Sequence, residues 1–316
     1  MTCLRCQHGT AKRFGTYGRL RIQRYRCNTC RATFTQPRQR ALGRHYIQTE
    51  KAVQVISLLT EGMSVRAVSR ITRVHKATIL SLLITVGDKC RRVFDKYVRN
   101  VRPRFVQADE LWSFVHTKER QLGSDDPAEW GDAYTWIALD SETKLILSYH
   151  VGKRDAESAF VLARDLSERV TGRFQITTDG FKPYISAIED CFGAEVDYAQ
   201  LIKIYGRAKT EGPDWYAPTK VLDAIPVQVS GSPKIERIST SHVERANLSV
   251  RMHLRRFTRL TNAFSKKLDN LKAAVSVYMA WYNFCRVHQT LRVTPAMEAQ
   301  ITDHVWSVEE LLTQLV

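Results

Sequence analysis

Three acidic residues lie where a carboxylate needs a reason. Asp109 sits inside the apolar run RFVQADELWSFVHT, a costly place for an unpartnered charge. Asp179 follows the apolar run FQITT and precedes Gly180, and Glu244 heads TSHVERANLSVRMHLRRFTRL among Arg245, Arg251, Arg255, Arg256 and Arg259. Brought to one sheet edge, three carboxylates repel one another unless a hard cation lies between them. Mg2+ or Mn2+ takes such oxygen ligands and keeps waters that phosphate oxygens can replace. Two such ions about 4 Å apart can activate the attacking oxygen and stabilise the leaving one in phosphodiester displacement. Taken singly, each acid has a plainer reading: Asp-Gly after a strand is often a turn, and a glutamate near a helix start is often a cap. Asp140 is a rival third acid, but the turn DSETK explains it. Glu110, next to Asp109, is expected on the opposite strand face.

Cys3 and Cys6 form one C-x-x-C, Cys27 and Cys30 another, with 20 residues between the pairs. That spacing suits a zinc ribbon, in which two thiolate knuckles fill all four positions of one structural Zn2+. His8 is close enough to substitute for a ligand. Two disulfides are the alternative, and no apolar leader in MTCLRCQHGT argues for an oxidising compartment. Cys90, Cys191 and Cys285 are scattered singly, as buried thiols usually are.

The elements that must position these groups follow from charge and periodicity. Residues 1–106 hold 23 Lys+Arg against 4 Asp+Glu, a net of +19, and the remaining 210 residues hold 25 against 28, a net of −3, so the basic excess behind the net +16 lies in the first third. Such a split suggests a polyanion-binding module attached to a near-neutral body. After the ribbon (1–45), apolar residues recur at helical spacing: Val53, Ile56, Leu59, then Val65, Val68, Ile71, then Ile79, Leu82, Leu83. Gly62 and Ser64 punctuate them as helix stop and cap. This reads as a helix-turn-helix with its linker (46–103), its recognition helix presenting Arg73, His75, Lys76 and Thr78. Pro103 marks a boundary. From 104 to 300 the order is three strands, helix, strand, helix, strand, helix, that of an RNase H-like α+β or α/β domain with a mixed sheet flanked by helices. A tail occupies 301–316. On the last basic helix, expected to run from Thr240 to Leu260, Asn247 and Arg251 share the face of Glu244. His242 and Asn247 are candidate helpers, and Arg251, Arg255 and Arg256 candidate DNA contacts. No run of 18 apolar residues suggests a membrane span.

ADELWSFV, TTDG and HVERAN, in this order, resemble the transposases of the insertion sequence 1 family, DDE enzymes with an RNase H-like catalytic domain. The ending WYNFCRVHQTLRVTPAMEA is similar to the tail of related bacterial transposases, so the resemblance spans roughly Met1 to Ala299. It implies that Asp109, Asp179 and Glu244 are the catalytic acids, 70 and 65 residues apart, holding two Mg2+ or Mn2+. It further implies terminal inverted repeats and target duplex as DNA partners, cleavage followed by strand transfer, a homodimer or larger assembly on DNA, and a cytoplasmic, nucleoid-associated bacterial or archaeal setting. The insert at about 206–238 is longer than in compact members. An RNase H-like nuclease that cuts without joining, and a DNA-binding regulator descended from a transposase, are the alternatives. A tyrosine nucleophile, Tyr97 or Tyr282, would belong to a different mechanism.

Overall fold

The computed structural model describes residues 1–18, 21–35, 42–43, 45–206, 220–258 and 261–314. Residues 207–219 of the insert, Arg259 and Leu260, and the last two residues of the tail lie outside them. The chain forms two compact units, Met1–Arg44 and His45–Val316.

The first unit is an antiparallel sheet of β1 (Ala11–Tyr17), β2 (Ile22–Cys27) and β3 (Thr33–Thr35), in the order β1-β2-β3. Among its described residues only Cys3, Ala11, Cys27 and Leu42 are buried. So small an apolar interior cannot hold three strands together by itself, and the cysteines stand where a core would be.

The second unit opens with α1 (Thr49–Thr60), α2 (Val65–Thr72) and α3 (Lys76–Tyr97). Gly62 takes φ +83°, and the Met63 and Gly62 amides return to the Leu58 and Leu59 carbonyls, closing α1 in a Schellman motif. The Ser64 hydroxyl accepts from the Ala67 amide at 3.1 Å and His75 Nδ1 from the Ala77 amide at 3.3 Å, capping α2 and α3. Ile71, expected in the apolar stripe, is 52% exposed instead.

A mixed sheet follows, built from β4 (Phe105–Val115), β5 (Gly131–Asp140) and β6 (Ile146–Gly152), then α4 (Ala156–Ser167), β7 (Phe174–Asp179), α5 (Pro183–Phe192), β8 (Val196–Gly206) and β9 (Lys220–Ser230). Its order is β6-β5-β4-β7-β8-β9, with β4–β7 and β7–β8 parallel and the other pairs antiparallel. This six-stranded mixed sheet flanked by helices is consistent with the expected RNase H-like fold. The sixth strand, β9, goes beyond the expected order: the insert extends the sheet.

The chain closes with α6 (Ser241–His253), α7 (Leu268–Phe284), α8 (Pro295–Glu298) and α9 (Val308–Thr313). The basic helix therefore ends at His253 and not at Leu260, with a 3-10 turn at Arg255–Phe257. Val243, Ala246, Val250, Leu254 and Phe257 are all buried, as their spacing predicts. A Cβ on Gly87 would lie 2.6 Å from Ala273 Cα, so α3 and α7 pack almost backbone to backbone. The helices of 46–103 thus fold together with the sheet. Asn283, fully buried on α7, donates to the Ile146 carbonyl and accepts from the Ile146 amide. That stitches α7 to β6 and gives the asparagine of WYNF a structural task.

Candidate active site

The site grows from the middle of β4. Alternation sends Gln107 and Asp109 to the α6 face of the sheet, and Glu110 to the α5 face opposite Trp136. Gln107 is buried, and its side-chain oxygen accepts from the His242 and Val243 amides at 2.9 and 3.1 Å. Two of the amides orphaned at a helix start are thereby satisfied from the sheet, which fixes α6 against β4. One turn further on, Asn247 Nδ2 donates to Asp109 Oδ2 at 2.8 Å. Asn247 is therefore where a helper was expected, while its own Oδ1 is buried without a hydrogen-bond partner among the described residues.

Pairing of β4 with β7 stops at Ala108 and Thr178, whereas β4 runs on to Val115. Beyond that point the edge of β4 is open towards Asp179, at the carboxyl end of β7. Oxygens of Asp109, Glu110 and Asp179 lie within 4.8 Å of one another across this gap. Glu110 does stand on the opposite strand face, yet its longer side chain brings its carboxylate to the other two at the open edge. Its carboxylate ion-pairs with Arg154 and accepts from the Tyr184 hydroxyl at 3.3 Å. Arg154 also lies 3.4 Å from Asp179 Oδ2, with its guanidinium 4.1 Å above the Phe181 ring.

Glu244 lines the same cleft, of about 820 Å³, together with Asp109, Asp179, Arg154, Lys182 and Lys203. Its carboxylate is engaged by Lys203 Nζ and the Thr240 hydroxyl and stands outside the close group of three. Thr240, at the N-cap position of α6, uses its hydroxyl on Glu244; the Ser239 hydroxyl accepts from the Ser241 amide instead. Electrostatics follow the geometry. Burial, then the neighbouring charges of Glu110 and Asp179, pushes the Asp109 carboxyl up to about 7. Burial also raises Glu110 and Asp179 above the usual carboxylate range, although Arg154 opposes it at both. Three oxygen ligands that cannot all ionise comfortably are the donor set a hard divalent cation fits.

The other expected site residues divide. His242 does not approach the carboxylates; its ring faces Lys144 Nζ at 3.3 Å, across a separate cavity. Arg255 is exposed, but Arg256 Nη1 is committed inside, donating to Ser265 Oγ and the Asn270 carbonyl at 3.1 Å each, and burial lowers it to about 10. Its assignment as a DNA contact is corrected on that ground. Arg251 donates to the Phe257 carbonyl at 3.3 Å. Arg73, His75 and Lys76 are exposed around the start of α3, with Thr78 half-buried beside them. Tyr282 is buried and its hydroxyl pushed up to about 12, which disfavours it as a nucleophile; Tyr97 packs its ring against Trp306.

In the first unit the Sγ atoms of Cys3, Cys6, Cys27 and Cys30 lie within 4.8 Å of one another. The closest approaches, 3.6 Å for Cys3–Cys30 and for Cys6–Cys27, are those of free thiols. The Cys30 amide, and behind it that of Thr29, draws the Cys27 thiol down to about 6 against the opposing effect of burial. Four convergent sulfurs with one already acidified are a donor set that tetrahedral Zn2+ fits. His8 is exposed, its ring turned to the Cys6 carbonyl.

No protein-family model matches the sequence, and no curated protein matches it. Among solved structures the chain is similar to a piggyBac transposase synaptic complex with hairpin DNA, at 11% identity and a TM-score of 0.38 over 84% of this chain and 68% of that one. It is also similar to the Mos1 transposase paired-end complex with left transposon end, at 14% identity and 0.20 over 52% and 62%. At these values the likeness is loose.

Among the described residues no helix is long and apolar enough to cross a membrane.

Sequence reasoning missed Gln107 and Glu110. A signal existed for Gln107: a polar residue two positions before Asp109 shares its buried face.

Proposed function

We propose that the protein is a DNA transposase that cleaves and joins phosphodiesters at the ends of a mobile element. The observation that carries this reading is the meeting of Asp109, Glu110 and Asp179 within 4.8 Å at an open sheet edge, with Glu244 in the same cleft. Asp109, Asp179 and Glu244 are the catalytic acids, and Glu110 joins them as a fourth carboxylate. Held by these oxygens, Mg2+ or Mn2+ would supply Lewis-acid activation of the phosphodiester and of the attacking oxygen.

The residues of the chain do the rest. Gln107 docks α6, Asn247 orients Asp109, and Arg154 and Lys203 neutralise the acids until a DNA phosphate competes for their charge. The four-cysteine unit, with one structural Zn2+, and the exposed start of α3 (Arg73, His75, Lys76, Thr78) hold the terminal repeats. Arg255 and Arg251 serve the duplex near α6. Two ends must be paired, which calls for at least a dimer on DNA.

The deciding experiment incubates the purified chain with labelled duplex from the flanks of its own coding sequence, a target plasmid and Mg2+. Joined product supports the transposase. Cleavage without joining supports a nuclease, and binding without either supports a regulator.

A further inference from the structure

Helix α6 has two working faces. Glu244 and Asn247, three residues apart, serve the carboxylate cleft. His242, Arg245 and Ser249, spaced three and four, line a second cavity of about 470 Å³. Its other walls come from distant stretches: Lys144 in the β5–β6 turn, and Arg286 and His288 just after α7. The arginine and histidine of the tail motif, which the catalytic reading leaves unexplained, are thus brought against the helix that carries Glu244.

These basic groups press on one another. Lys144 Nζ lies 3.3 and 3.4 Å from the two ring nitrogens of His242. Burial first, then the charge of Lys144, holds His288 below the usual histidine range; Arg286 and Arg245 add to the effect. The nearby acids are already committed. Glu142, on the rim, takes two 2.7 Å hydrogen bonds from Arg104. Asp140, behind the turn, accepts from the Glu142 amide and the Thr143 hydroxyl at 3.0 and 2.7 Å. Lys144 itself stands at φ +61°, a left-handed position that a glycine would fill without strain. Arg286 is steadied over the Trp281 ring at 5.6 Å. The cavity therefore gathers more positive charge than its own carboxylates offset, although Lys144 Nζ also donates to the Ser141 carbonyl and the His288 ring bonds the Thr290 hydroxyl.

We propose that this cavity seats a backbone phosphodiester of a DNA strand running past α6 from the carboxylate cleft. A helix is roughly 10 Å across with its side chains, and one strand advances about 3.4 Å per nucleotide. A phosphate held here lies within a few nucleotides of one at the acids. The phosphate chemistry follows from the cavity alone; its assignment to DNA rests on the transposase reading.

The test uses the full chain and two variants, Arg245→Gln and His288→Gln, with circular dichroism as the folding control. Arg245 is solvent-exposed on a regular helix, so its replacement leaves the core intact. Duplex affinity is measured between about 50 and 200 mM salt. Each phosphate contact contributes about 0.9 to the logarithmic salt slope, so Arg245→Gln should reduce the wild-type fall in affinity over this range by roughly 3.5-fold. His288→Gln should weaken binding, and in the wild type DNA should raise the His288 pKa; a His288 pKa that DNA leaves unmoved counts against the proposal. An unchanged slope and affinity in both variants overturns the proposal. Inorganic phosphate that stabilises the wild type but neither variant, with DNA binding unchanged, overturns the DNA assignment. Joining by the wild type is scored separately, so failure of the transposase reading is seen there and not in the slopes.

Discussion

Replacing Asp109 with asparagine should make the protein more stable at alkaline pH. In the native cleft its carboxyl is raised from 3.8 to about 7, by burial first and then by Glu110 and Asp179. The folded chain keeps a proton that the unfolded chain releases, so stability falls as pH rises between those two values. The deficit is absent below about pH 4 and complete above about pH 7. At roughly 1.4 kcal/mol per decade of proton affinity it comes to about 4.5 kcal/mol; the cleft is open to water, so about 2–4 kcal/mol is expected. The amide introduced by Asp109→Asn cannot ionise, and its oxygen can still accept from Asn247. In EDTA at about pH 8 the variant should melt roughly 5–15 °C above the wild type, and the two should converge near pH 4. Mg2+ should raise the wild-type melting temperature and leave the variant almost unmoved. The refuting result is a variant less stable than wild type at the alkaline end, or a difference that does not change with pH.

Other expectations follow from particular contacts. Gln107→Leu removes the cap that docks α6; it should cost about 1–3 kcal/mol in chemical denaturation and slow DNA cleavage, and full activity would show that α6 is positioned otherwise. Gly87→Ala forces a Cβ to 2.6 Å from Ala273 Cα and should destabilise the second unit by about 3 kcal/mol or more; a wild-type melting curve would contradict the close crossing. Metal analysis should find about one Zn2+ per chain, lost in Cys27→Ser together with specific end binding. A zinc-free, disulfide-bonded wild type would refute that reading.

Much of the fold and part of the site are legible in the sequence, and the misses share a cause. Asp109 stands out because a carboxylate in an apolar run needs a partner, and Asp179 because strand ends carry sites. The strand β9 is easily passed over because Pro226 demotes a run to non-strand. It lies on the sheet edge, opposite Leu201, where a missing N–H is tolerated. Alternation correctly puts Glu110 on the far face but says nothing of where β7 stops and leaves room for its carboxylate. No glycine or proline at position 254 announces the end of α6. His253 instead bonds the Thr60 carbonyl at 2.9 Å, a contact that exists only once the domain is assembled, and Arg251 bonds the Phe257 carbonyl beyond the helix end. Arg256 looks like the other arginines because its partners, Ser265 and Asn270, come from another segment.

The most direct measurement is the anomalous signal of Mn2+ soaked into crystals of the protein. The account predicts a peak touching both Asp109 and Asp179 oxygens, within reach of Glu110 or Glu244, that disappears in Asp109→Asn. No peak in the cleft, or one that survives that substitution, would contradict it.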